Sequence, residues 1–389
     1  MYRFSFICFL FFFLFGCRNS QTEENGTKQI DWSKATKWKN EFAKGFLVEE
    51  YEKYYRITIT DPQTNKEYGK FVLYHEKGEK PEISEGETAI KYPVKSFASV
   101  SSTHLPFLKL LQVENTLTGY AGQHFVVSEE FKKLFKENNI PELGADNAIY
   151  TEKLIELFPD VFMVYPFGSL NFSKIEEAKI PVFYNTEYLE LHPLGKTEWL
   201  KVFGILFNKT DEAKKIFNDI SKRYLNIANS ISNSGTDKPI VFTGLNFSGT
   251  WHVPGGKSFQ AQFLKDAGVN YVWKDDPNNN SLSLPAETVI EKCIDADYWL
   301  LVSTEKTDFS LEDLISMDPN YKYFKAVKNK NVIFCNSGIK DYFGEAIVEP
   351  DIVLKDLLYF FYWRNEILSQ SQSLPDSLRY QPKYFEIPE

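Results

Sequence analysis

The chain has 389 residues, 43% hydrophobic and 25% charged, and is rich in aromatics with 34 Phe, 22 Tyr and 7 Trp. That composition belongs to a globular protein rather than a disordered or fibrous one. A formal net charge of −9 argues against a nucleic-acid partner, whose phosphates call for a basic surface.

Arg3 precedes an almost unbroken apolar run at residues 4–15, and Leu14, Phe15, Gly16 and Cys17 place a small residue directly before a cysteine. The run is about twelve residues long and a membrane-spanning helix takes roughly twenty, so residues 1–17 read as a cleaved export signal. They resemble a bacterial lipoprotein signal. That resemblance implies that Cys17 becomes the lipidated first residue of an exported chain; an ordinary secretory signal would export it equally. Residues 18–44 are largely polar and lack apolar periodicity, which predicts a flexible tether.

The remaining length is comfortable for two domains. Alternation at residues 55–60, a turn at 61–65 and an apolar run at 71–74 predict a β-hairpin. From residue 96 short apolar runs alternate with helical patterns: strands at 97–100, 161–165 and 180–184, and helices at 105–111, 151–158 and 196–207. This is the rhythm of βα units around a parallel sheet. Residues 210–233 form one long amphipathic helix: Thr210 is the N-cap, Asp211 and Glu212 lie in the first turn, and Ile216, Phe217, Ile220, Tyr224, Ile227 and Ile231 follow at 3-4 spacing. The βα rhythm then resumes, with strands at 240–243, 298–303 and 332–335 and helices at 258–267, 285–293 and 349–363. The fold class is therefore α/β: two Rossmann-like lobes with parallel sheets, at 45–209 and 234–389, joined by one long helix and preceded by a β-hairpin. Cys293 and Cys335 fall at opposite edges of the second sheet and are expected as two buried thiols, not a disulfide.

Ligands of open α/β sheets sit beyond the carboxyl ends of the strands. Those ends carry Ser101, Ser102, Thr103 and His104; Tyr165, Pro166 and Phe167; Asn185, Glu187 and Tyr188; Asn246, Trp251 and His252; and Asp341, Tyr342 and Phe343. An aromatic, polar and charge-poor inventory suits a large flat or amphipathic small molecule.

Several stretches together resemble the helical-hinge class of periplasmic substrate-binding proteins, which serve importers of iron-siderophores, heme and vitamin B12. They are residues 94–104, residues 150–163 with an early glutamate and a Pro-Asp turn, the segment from Trp251 to Ser258 followed by Leu264 to Gly268, and residues 283–287. Residue 158 departs from the pattern, being Phe where lysine is usual. The hairpin and residues 191–199 are additions to it. The resemblance implies capture of a metal chelate, a ferric siderophore, heme or corrinoid, and its delivery to an ABC permease. It also implies that Glu152 in the first lobe and Glu287 in the second pair with permease arginines; each could equally be a first-turn carboxylate complementing its helix dipole. His104, Tyr165, Trp251, His252 and Tyr342 are the candidate ligand contacts. A lone histidine is more often structural than metal-ligating, so no metal site and no resident cofactor is expected. The six arginines avoid the cleft loops, which disfavours a highly anionic tris-catecholate.

Other chemistries lack their residues. Gly255, Gly256, Lys257 and Ser258 imitate the end of a P-loop, but Trp251 stands where the first glycine is needed. No His-x-x-x-His or Cys-x-x-Cys spacing and no Gly-x-Ser-x-Gly elbow occurs. A binding protein in a periplasm-facing, membrane-anchored location is the reading, with an exported hydrolase as the enzyme alternative.

Overall fold

The structure is a computed structural model and describes residues 28–145, 148–166, 171–232, 237–364 and 380–388. The signal, Cys17, Phe167 and Asn233 lie outside the described residues.

Each lobe is built on a four-stranded parallel sheet. In the first the order is Val182–Tyr184, Val161–Val164, Phe97–Ser99, Leu117–Tyr120. In the second it is Asn270–Tyr271, Ile240–Thr243, Tyr298–Ser303, Val332–Asn336. All four residues of Val161–Val164 are buried, as befits a parallel strand covered on both faces. The helix Thr210–Ser232 has 23 residues, about 34 Å at 1.5 Å per residue. Its apolar stripe serves two cores: Ala213 packs into the first lobe, and Phe217, Ile220 and Tyr224 into the second.

The hairpin is present, as Tyr54–Thr60 antiparallel to Glu67–His75, but it is the centre of a five-stranded sheet. Phe46–Tyr51 pairs on one side and Glu87–Tyr92, parallel, on the other, with Thr36–Lys37 at the edge. One face of this sheet, through Val48, Ile57 and Phe71, joins Phe97 and Phe203 in the first lobe's core. It is thus a layer of that lobe rather than a separate unit.

The expected tether is corrected over residues 28–44, which are built into the fold. Ile30 and Ala43 are buried, and the Trp38 indole donates to Glu50 at 2.7 Å. Two buried carboxylates hold the backbone. Glu198 accepts from the amides of Glu41, Phe42 and Ala43 at 2.8–2.9 Å, and Glu190 from those of Lys44 and Gly45 at 2.9 and 2.8 Å. Five backbone donors are satisfied by side chains, which is what lets an irregular segment lie inside the protein.

Glu198 comes from the segment 191–199 that looked additional to the family pattern, and Glu190 directly precedes it. In place of one helix from 196 to 207 there are two, Pro193–Glu198 and Leu200–Leu206, with Trp199 fully buried between them. His192 caps the first, its Nδ1 accepting from the Leu194 amide at 3.0 Å.

In the second lobe, Asn246–Phe247, Thr250–Pro254 and Ser281–Pro285 form an antiparallel three-stranded sheet where loops were expected. The Gly255 and Lys257 amides donate to Asn280 and Asn278 carbonyls, each at 2.9 Å, so this loop is a structural turn with no phosphate cradle. Cys293 and Cys335 are free and buried, and burial pushes both thiols up to about 12.

Candidate functional site: the cleft between the lobes

A cavity of about 680 Å³ opens between the lobes. The first lobe contributes Ser102, Thr103, Tyr188 and Lys196, and the second His252, Phe259, Tyr342 and Phe343. Its walls follow the carboxyl ends of strands in both sheets, as at Ser102 beyond Phe97–Ser99 and Gly244 after Ile240–Thr243, the position that open α/β folds offer to ligands. A smaller cavity of about 520 Å³ extends into the first lobe past Phe125, Tyr165 and Glu187 and shares Ser102 and Tyr188 with the first.

The structure brings His252 and Tyr342 into the main cavity and Tyr165 into the adjoining one. His252 is exposed on its strand, its Nδ1 3.2 Å from Ser283 Oγ. Tyr342 packs edge-on to Phe343 with ring centroids 5.5 Å apart, and burial pushes its hydroxyl pKa up. Tyr165 stands 5.7 Å from Tyr188 in the same T-shaped manner.

Two candidates are displaced into the core. Trp251, expected at the start of a loop, lies on a strand with no exposed surface; it packs on Phe242, Trp299 and Tyr321, and its indole donates to the Thr243 carbonyl at 3.1 Å. Alternation along Thr250–Pro254 turns its ring inward and His252 outward. His104 is 1% exposed, 2.8 Å from Ser99 Oγ and packed beside Phe203. Burial lowers its pKa to about 3, so it is a neutral core residue. Glu152 and Glu287 are both exposed in the first turns of Thr151–Leu157 and Ala286–Cys293, and neither forms an ion pair with a described residue.

Lys196 and Glu187 are the cleft's charged pair. Lys196 is 8% exposed; its ammonium donates to the Tyr188 carbonyl at 2.9 Å, lies 4.6 Å from the Phe259 ring centroid and 3.9 Å from Glu187 Oε2. Glu187 Oε1 accepts from Thr103 Oγ1 at 2.5 Å, while Oε2 has no hydrogen-bond partner among the described residues. Burial raises the Glu187 pKa and lowers that of Lys196, and each charge eases the shift of the other. Lys196 escaped the sequence reading because it stands on a helix, outside the strand-end loops. The signal that could have found it is the run Leu191, His192, Pro193, Leu194, Gly195, Lys196, a capped turn that directs a lysine inward.

No group of three metal-ligating side chains occurs among the described residues, and none of their helices is long and apolar enough to cross a membrane.

Residues 98–338 match the family model for periplasmic binding proteins. The chain belongs to that family. An uncharacterized lipoprotein of Methanocaldococcus jannaschii is 29% identical over 288 residues, 72% of this chain and 67% of that protein. Among solved structures, a TroA-like periplasmic binding protein from Veillonella parvula covers 76% of this chain and 95% of its own, at TM-score 0.57 and 17% identity. A periplasmic heme-binding protein from Pseudomonas aeruginosa covers 76% and 98%, at 0.56 and 14%, and a structure from an Fe3+-hydroxamate transport system of Saccharomonospora viridis 69% and 94%, at 0.53 and 16%. The two α/β lobes and their long helix are the helical-hinge architecture. Family members are substrate-binding transport proteins, not enzymes.

Proposed function

We propose that this periplasmic binding protein captures a metal chelate in the cleft between its lobes and delivers it to an ABC permease, anchored to the membrane through lipid on Cys17. The observation that carries this reading is the cavity of about 680 Å³ lined by both lobes, within the range of roughly 300–1,000 Å³ typical of small-molecule sites. The metal would arrive already coordinated by its chelator.

The charge inventory favours a neutral, oxygen-rich chelate of the ferric hydroxamate type. Lys196 is the cation of the main cavity and is countered by Glu187; Glu190 is spent on backbone amides. A chelate with several negative charges would enter with no matching cations and lose its hydration. Heme and corrinoid share the aromatic requirement and are the second reading.

Calorimetric titration of the chain from residue 18 with a neutral ferric trihydroxamate, a ferric tris-catecholate, heme and cyanocobalamin tests this. Saturable one-to-one binding of the trihydroxamate is expected, weakened about tenfold or more by Phe343→Ala or Lys196→Met. Tight binding of the tris-catecholate, or silence across the panel, would overturn it.

A further inference from the structure

A separate cavity of about 740 Å³ lies between residues 41–44 and the outer strand of the second lobe's sheet. Glu190 and Leu191 line both this cavity and the cleft and so partition them. Lys238 places part of its wall at the amino end of Ile240–Thr243, a strand whose carboxyl end reaches the cleft at Gly244.

In a chain of net charge −9, this wall is basic. Lys44, Lys238, Lys257 and Lys265 line it, and none forms an ion pair with a described residue; Lys274 adds a fifth ammonium, donating to Asn270 Oδ1 at 3.0 Å. Three carboxylates share the lining, and of these Glu190 is already saturated by backbone amides. Against the five lysines stand Glu41, Glu190 and Asp275, so the lining keeps an excess of two positive charges.

The second observation is an available donor. His192 lines the same cavity, with its ring 4.7 Å from that of Phe42 and 6.1 Å from that of Tyr224. Its Nδ1 accepts from Leu194, so the neutral ring carries its proton on Nε2. That N–H makes no hydrogen bond to a described residue, and burial lowers the ring's pKa, which favours this neutral tautomer.

We propose that this groove binds a phosphate-bearing anion, held by the lysine ammoniums and oriented by the His192 Nε2–H. Ammoniums act as mobile point charges, which suits the several oxygens of a phosphate. The phosphate could be a soluble ion or the headgroup of an anionic phospholipid, and the shared chemistry is the same.

The test uses the chain from residue 18, which keeps every described residue, at about 50 mM salt, where exposed charges are weakly screened. Pyrophosphate is titrated calorimetrically, and co-sedimentation is measured with phosphatidylglycerol vesicles against phosphatidylcholine vesicles. Binding to at least one anionic probe is expected. It should weaken about tenfold or more in the triple variant Lys238→Glu, Lys257→Glu, Lys265→Glu, and severalfold in His192→Asn, where the amide oxygen keeps the helix cap but the shorter side chain no longer presents a donor at the place of the imidazole Nε2. Vesicle binding alone would identify a headgroup; pyrophosphate binding that competes with vesicles would identify the free ion as sufficient. Absence of binding to both probes would overturn the proposal. So would equal binding by the triple variant, or an equal loss on reversing Lys328 and Lys330 elsewhere on the surface. The chelate titration above reads the other cavity, so the two proposals fail separately.

Discussion

Trp251 and His104 show how one side chain's environment reverses its expected role. Trp251→Ala removes a fully buried ring and its hydrogen bond, so a loss of about 3–5 kcal/mol is expected in denaturant unfolding, with chelate affinity of the folded protein unchanged. His104 has a pKa near 3 in the folded chain, against about 6.5 when unfolded. The unfolded chain therefore takes up a proton that the folded one refuses. Stability from this residue is complete above about pH 6.5 and is lost as pH falls toward 3, by up to about 1.4 kcal/mol per pH unit. Unfolding midpoints measured from pH 7 to 4 should fall more steeply in the wild type than in His104→Gln. His192, also lowered by burial, slopes the same way, and Glu187, raised by burial, slopes oppositely; both are common to the two proteins, so the difference isolates His104.

At the scale of elements, the segment 190–199 carries unusual responsibility. Glu198→Ala would leave three backbone donors and the Lys201 ammonium, 2.6 Å from Glu198, without their acceptor. A cost of at least about 2 kcal/mol is expected, together with faster hydrogen exchange at the amides of residues 41–43. None of this was legible from the chain, because a carboxylate saturated by amides roughly 150 residues away leaves no local pattern. Elements with strong local signals were legible: the helix at 210–232, the buried strands at 161–164 and 298–303, and the short crossovers that imply parallel sheets. The three-stranded sheet around Trp251 was not, since Asn246, Ser248 and Gly249 read as loop, and the ring's inward turn follows only from pairing with Ser281–Pro285. In the cleft, strand ends located His252, Tyr342 and Tyr165, but a rule confined to strand ends passes over Lys196, which reaches the cavity from a helix.

Across the whole molecule, contacts among the described residues bridge the lobes beside the cleft, among them Lys109 to Glu345 at 3.1 Å, Asn279 to Gln63 at 2.7 Å, and Thr197 to the Ile347 carbonyl at 2.8 Å. Ile347 and Val348, from the second lobe's segment, are counted among the first lobe's core residues. Such bracing predicts small-angle scattering profiles that superimpose with and without ligand; a marked contraction would mean that the lobes hinge. Glu152→Ala with Glu287→Ala is expected to abolish uptake in cells while leaving calorimetric affinity intact, because both carboxylates stand outside the cleft lining; lost affinity would contradict docking. Finally, a helix with Ala213 in one core and Phe217 and Tyr224 in the other ties the fates of the lobes. Neither can melt without stripping packing from a rod that the other needs, so calorimetry should record one heat-absorption peak where two independent lobes would give two.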